Sequence, residues 1–332
     1  MNLESRIDAF VRLGSKIEAL NRTELAEIAV QAKVQNPWFD QPNVERAFRG
    51  IAFMLKREKL SKWLANYTLQ PEVPRIVGVI MAGNIPLVGF HDLLCVLLSG
   101  HLAAVKVSAK DTLLVTRVIE WLIQLEPTFK RSIQVCEKLD QIDAVICTGS
   151  DNTARYFDYY FGKYPNIIRK NRTSVAVLDG TETANELQSL GTDIFSYFGL
   201  GCRNVSKLYT PSGYDLRDIF PAWEGWEEVI HHNKYKNNYD YHKAILLVNK
   251  EAHLDTGFLL VRETEEIVAP TGLIYQQSYR ERDQLRELLD KQEDKIQCII
   301  GHGHIPFGKA QSPEPWEYAD GVDTMDFLKD LF

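Results

Sequence analysis

The chain has 332 residues, 45% hydrophobic and 25% charged, the composition of a soluble globular protein long enough for two lobes with sizeable cores. Its net charge of −7 argues against a broad nucleic-acid surface, which needs basic side chains to replace counterions. Met1-Asn2-Leu3-Glu4-Ser5-Arg6 lacks the apolar core of a secretion signal, and no apolar run approaches membrane-spanning length. The five cysteines (Cys95, Cys136, Cys147, Cys202, Cys298) are odd in number, dispersed and never in a C-x-x-C pair. The expectation is a cytoplasmic protein without a membrane span, a disulfide framework or a structural zinc site.

Residues 1–70 read as N-terminal helices. Ile7, Phe10, Val11, Ile17 and Leu20 recur near helical spacing, and Asn21 with Glu24 has the form of a helix-starting cap. Asn36-Pro37 interrupts the pattern, and Asn43 precedes a stripe of Val44, Phe48, Ile51 and Leu55, best read as core packing. After Pro71 and Pro74 the period changes. Residues 75–81 form a short β-branched run that ends at Ala82-Gly83-Asn84-Ile85-Pro86, followed by an amphipathic helix over about 87–99 and a strand over 102–107. Further strands are expected at 132–136 and 144–147, the latter running into Thr148-Gly149-Ser150 and a helix rich in tyrosine and phenylalanine.

Strands alternating with helices imply parallel pairing through right-handed crossovers, an open α/β sheet. Ligands of such sheets bind beyond the carboxyl ends of the strands, where Asn84, residues 106–110 and residues 148–150 all fall. The glycine spacing is not G-x-G-x-x-G, so a standard dinucleotide loop is not expected. Thr148-Gly149-Ser150 at a helix start is either an anion site or a plain capping turn, and the residues leave both open. Downstream, Tyr197-Phe198-Gly199-Leu200-Gly201-Cys202-Arg203-Asn204 sets a thiol between two glycines and an arginine just before a β-rich run. A neighbouring cation favours a reactive thiolate, although a buried apolar cysteine is the commoner use of the residue.

Taken in order, Gly-Asn-Ile-Pro at 83–86, Lys-Val-Ser at 106–108, Thr-Gly-Ser at 148–150 and Gly-Cys at 201–202 resemble the aldehyde dehydrogenase superfamily. Glu266-Ile267-Val268-Ala269-Pro270 is similar to its Glu-Ile-Phe-Gly-Pro element, and Ile305-Pro306-Phe307-Gly308 to its Pro-Phe-Gly element. The closing run 305–327 resembles most the acyl-CoA reductase branch, whose members supply fatty aldehyde to bacterial luciferase and have relatives in non-luminous bacteria. The resemblance covers residues from about 75 to the end. It implies an aldehyde-dehydrogenase-like α/β fold with open parallel sheets in two lobes after the N-terminal helices. The implied divisions are a Rossmann-like cofactor-binding lobe over 71–180, a catalytic lobe over 181–300, and a segment over 301–332 that returns to the active-site cleft. It also implies that Cys202 takes the acyl group as a thioester, with Asn84 donating to the oxyanion. Lys106, Ser108, Gly149, Ser150 and Glu266 would then bind the cofactor, and His304 and Phe307 would line the acyl pocket.

Two departures from the superfamily sharpen this reading. Where aldehyde-oxidising members carry a glutamate that activates water, the chain reads Arg169-Lys170-Asn171-Arg172-Thr173. Without that base, exchange with a thiol is favoured over hydrolysis, hence reduction of an acyl-CoA or another acyl thioester. The same loss could mark a catalytically silent acyl-binding relative; reduction of an acyl-protein thioester or an acyl phosphate is a further alternative. Where NAD-preferring relatives carry a glutamate three residues after the lysine, Ala109 stands beside Lys110, which favours NADPH over NADH. The superfamily's dimerisation hairpin has no evident counterpart, so a homo-oligomer or an acyl-transfer partner stays open. No metal is expected: His231-His232 and His302-Gly303-His304 read as solvated loop histidines, with a place for His302 or His304 in the acyl pocket as the alternative. Residues 233–239 read as an exposed loop, 280–295 as a solvated helix with one packed face, and 244–248, 258–261 and 297–300 as strands.

Overall fold

A computed structural model describes residues 1–149 and 151–331, leaving aside the side chains of residues 151 and 152. The chain divides into two compact units, residues 1–171 with 313–332, and residues 172–312. The first unit opens with α1 (Leu3–Glu18), α2 (Arg22–Gln35), α3 (Gln41–Met54) and α4 (Arg57–Leu64). Each of the first three starts where a side-chain oxygen satisfies otherwise unpaired N–H groups: Asn2, Asn21 and Asp40. At Asn21 the capping box is complete, because Glu24 reaches back to the Asn21 N–H. The predicted stripe of α3 is buried, and α3 packs on α1.

The first sheet contains β1 (Ile76–Ile80), β2 (Leu102–Lys106), β3 (Ile133–Val135), β4 (Ala144–Thr148) and β5 (Asn166–Arg169), connected in part by α5 (Phe90–Ser99), α6 (Thr112–Leu125) and α7 (Asp151–Phe161). Its order is β3-β2-β1-β4-β5, and every pair is parallel. The near-continuous apolar runs of β1 and β4 fit strands covered on both faces. From β1 the sheet grows through β2 and β3 on one side and through β4 and β5 on the other. The direction of growth therefore reverses between β1 and β4, the place where open α/β sheets bind ligands.

The second unit contains β6 (Thr173–Val177), α8 (Ala184–Phe195), β7 (Val205–Pro211), α9 (Asn233–Val248), β8 (Leu254–Asp255), β9 (Leu260–Glu263), β10 (Leu273–Tyr279), α10 (Arg282–Asp290) and β11 (Ile296–Ile300). Its sheet order is β11-β6-β7-β10-β9-β8, parallel except for β8 against β9. As expected from its leucine spacing, α10 lays Leu285, Leu288 and Leu289 on the cluster around Val175, Tyr209 and Ile296.

Residues 244–248 are not a strand. They form the last turns of α9, started by the His232 side chain, which accepts the Tyr235 N–H. A five-residue apolar run carries no period of its own, and here only Leu246 is buried. The neighbouring residues 233–239 are likewise helix rather than loop, with Tyr235 and Tyr239 in the core.

The closing residues 313–332 belong to the first unit and end in α11 (Thr324–Lys329), which packs on α5. They are anchored by Trp63 and Tyr67 on Tyr318, by Tyr67 on Asp323, and by Arg169. The Arg169 guanidinium is 3% exposed and pairs with Asp92 at 2.8 Å while donating to the Ala319 carbonyl and Thr324 Oγ1. Arg169 is thus one half of a core ion pair.

Candidate active site

The carboxyl edge of the first sheet gathers most of the cofactor candidates. Past β1 the chain turns at Gly83, where a Cβ would lie 2.5 Å from Ser108 Oγ; only glycine lets the Asn84 loop and the post-β2 loop touch. Asn36 donates to the Gly83 carbonyl at 3.2 Å, and Met81 donates to the Lys106 carbonyl at 3.0 Å. Asn84 and Lys106 are exposed, as are Ala109 and Lys110. Past β4, a Cβ on Gly149 would press on Phe157 and Thr153 at 3.0 Å, so α7 starts close against this turn. Asn84, Lys106, Ser108 and Gly149 therefore share one edge of the first unit; Ser150 lies outside the described residues.

Asp111 was not foreseen. Its buried carboxylate accepts the Leu87 N–H at 2.6 Å, holding Leu87 in the left-handed region at φ 59°. Its other oxygen is buried with no partner among the described residues, and burial raises its pKa to about 7.

In the second unit, the residues before Cys202 are bent sharply. Tyr197 and Phe198 both adopt left-handed backbone (φ 52° and 57°), a conformation bulky residues avoid, and both are buried. The Phe198 ring packs on His232 at 4.4 Å. Asn204 ties the bend together: its amide donates to the carbonyls of Asp193, Ile194 and Ser196, and its oxygen accepts the Gly201 N–H at 2.8 Å. Ser174 donates to the Cys202 carbonyl at 3.0 Å, and Cys202 itself is half-buried. The neighbouring Arg203 directs its Nε to the Ala310 carbonyl at 2.5 Å.

Two sequence-distant segments reach the same part of this unit. The Glu266 segment is bound to β7 just past the cysteine turn, with Ser206 donating to the Ile267 carbonyl and Lys207 to those of residues 264–266. The Glu266 carboxylate is exposed, and the Tyr275 pKa is raised to about 12 by burial and then by this carboxylate. The Pro306-Phe307-Gly308 segment is held by the buried Asp193 carboxylate, which accepts the N–H groups of Gly308 and Ala310 at 2.6 and 3.0 Å. Burial raises Asp193 to about 6. Phe307 is buried edge-on against His302, while His304 is exposed.

His302 differs from the solvated-loop expectation in one respect: it sits between Asp179 at 3.0 Å and Glu186 at 3.1 Å, which hold its pKa above the usual histidine value. Spacing could not show this, because both acids come from a segment more than 110 residues away in the chain. Asn204 stood in the motif, but Asp193 and Lys207 carried no signal beyond polar residues among apolar ones.

Comparison with solved structures gives the class. The fold is similar to aldehyde dehydrogenase 21 from Physcomitrella patens in complex with the reaction product succinate, with a TM-score of 0.65 and 11% identity over 100% of this chain and 84% of that one. It is equally similar, at TM-score 0.65, to an indole-3-acetaldehyde dehydrogenase mutant from P. syringae in complex with NAD+ and IAA (12% identity, 90% of this chain, 72% of that). A third likeness, also 0.65, is to an NAD-dependent aldehyde dehydrogenase from Sinorhizobium meliloti (10% identity, 90% and 70%). The fold is therefore that of the aldehyde dehydrogenases. A family model described as acyl-CoA reductase (LuxC) matches residues 21–216, and the chain belongs to that family of oxidoreductases. No curated protein matches the sequence. No helix among the described residues is long and apolar enough to cross a membrane.

Proposed function

We propose that the protein reduces an acyl-CoA, with a fatty acyl group as the preferred class, to the aldehyde through a thioester on Cys202, using NADPH in preference to NADH. The observation that carries this reading is the Cys202 turn, where two left-handed aromatic residues and a four-bonded buried asparagine precede and follow a half-buried cysteine. Strain of that kind persists where the surrounding structure over-determines it, and it concentrates at functional sites. The Cys202 thiolate attacks the acyl carbonyl, a C–S bond to Cys202 forms, the C–S bond to CoA breaks, and CoA leaves as its thiolate. In the role the family resemblance gives it, Asn84 would donate its side-chain amide to the oxyanion.

The first sheet edge fits a dinucleotide: a topological switch point, glycines where a Cβ would collide, and exposed cations at Lys106 and Lys110. Position 109 lacks a carboxylate, and the nearest acid, Asp111, is turned inward to Leu87, so a 2′-phosphate meets no negative charge from these two residues. Lys106, Ser108 and Gly149 would hold the adenosine and phosphate portions, and Glu266 the nicotinamide ribose. When bound, the nicotinamide supplies the hydride that turns the Cys202 thioester into a hemithioacetal. Collapse of that adduct releases the aldehyde and restores the Cys202 thiolate. Arg169 serves the core of the first unit, which leaves no water-activating base at that point of the chain.

Cofactor oxidation on addition of acyl-CoA tests the reading: it should be abolished in Cys202→Ala, and retained turnover in that variant contradicts it. Ala109→Glu should lower the NADPH-over-NADH preference in kcat/KM by about tenfold, roughly the loss of one charged contact. An unchanged ratio would remove the 2′-phosphate assignment.

A further inference from the structure

Lys207 lies on β7, five residues after Cys202, and is fully buried. A lysine is almost never buried so completely unless its charge is paired. Here Nζ donates instead to three consecutive carbonyls, Thr264 at 3.1 Å and Glu265 and Glu266 at 3.0 Å each, and to Gln277 Oε1 at 2.6 Å. Three successive carbonyls can face one point only if the chain curls around it, so the ammonium dictates the curl. The flanking contacts fix its ends: Ser206 Oγ on the Ile267 carbonyl, and the Thr264 N–H on the Gln276 carbonyl.

We propose that Lys207 is a positioning residue, its ammonium holding residues 264–266 so that the Glu266 carboxylate faces the nicotinamide ribose. This rests on the reading of Glu266 given above and adds what holds that carboxylate in place. An apolar side chain would fill the same space but leave the three carbonyls without the Nζ donor that gathers them. A cavity of about 120 Å³ lined by Tyr209, Glu265, Gln277, Leu288, Lys291 and Gln292 adjoins the clamp, giving the released segment room to move. The charged and titratable groups around the clamp are Glu265 and Glu266 on the segment, Tyr209 on β7, Tyr275 on β10 and Lys291 beyond α10. Burial lowers Lys207 to about 8, against the attraction of the two glutamates. As pH rises through that value the third N–H is lost, and the clamp weakens.

The test compares Lys207→Met, Lys207→Arg and Glu266→Gln by NADPH fluorescence titration and by amide exchange of residues 264–267 in the protein without cofactor. Lys207→Met should raise the NADPH Kd about tenfold, equivalent to roughly 1.4 kcal/mol, and speed exchange of the segment by a similar factor. Lys207→Arg, which remains charged, should stay within about threefold of the parent, and its Kd should not rise between pH 7 and 9.5 as the parent's does. Parent-like exchange and Kd in folded Lys207→Met overturn the inference. If Lys207→Met does not fold, identical pH profiles of the parent and Lys207→Arg overturn it instead. A parent-like Kd and hydride step in Glu266→Gln would show that the reading of Glu266 has failed, whether or not the segment loosens.

Discussion

At the scale of single residues, the turn before Cys202 is tied together by Asn204. Arg203, next to the thiol in sequence, donates its Nε to the Ala310 carbonyl, and Asn204 binds four backbone groups across the bend. Asn204→Ala leaves those groups buried and unpaired, which should lower unfolding stability by about 2–4 kcal/mol, measurable by urea titration. A loss under about 0.5 kcal/mol would mean the bend is held by aromatic packing alone. Cys202, Asn84 and Glu266 stand out in the sequence because each falls in a short motif that carries the family resemblance. Lys207 and Asp193 could not, because their partners, residues 264–266 and 308–310, lie far along the chain.

At the scale of elements, the β1–α5 loop is set by Gly83 and Asp111. Gly83→Ala should drive a methyl into Ser108 and weaken NADPH binding about tenfold, with Ser108→Gly in the same chain restoring part of the loss. No restoration would mean the collision is not with Ser108. The pH behaviour of Asp111 follows from its raised pKa. Between about 4, its unfolded value, and about 7, the native state holds a proton that the unfolded state has released. Its contribution to stability is therefore full below pH 4 and lost as pH rises through 7. Relative to wild type, Asp111→Asn should gain stability from pH 4 to pH 8, by at most about 4 kcal/mol. A flat difference across that range would show that the carboxyl is not desolvated. Helices and parallel strands were legible because their periods differ; residues 244–248 misled because five consecutive apolar residues suit either element.

At the scale of the molecule, the β–α alternation of residues 75–161 gave the parallel sheet and its carboxyl edge directly. The anchoring contacts of the closing residues were not readable, since they depend on side chains such as Arg169 meeting Ala319 and Thr324. Arg169→Leu leaves Asp92 buried without its cation and should cost about 3–5 kcal/mol in thermal or urea unfolding. A near-neutral result would show that Asp92 takes up a proton or another partner.

The central claim is that Cys202 accepts the acyl group, and the most direct test is intact mass spectrometry after incubation with butyryl-, decanoyl- and myristoyl-CoA without cofactor. A mass gain equal to the acyl group, absent in Cys202→Ser and discharged by NADPH, is the expected result. A folded protein that gains no acyl mass from any of the three, or gains it equally in Cys202→Ser, would contradict the account.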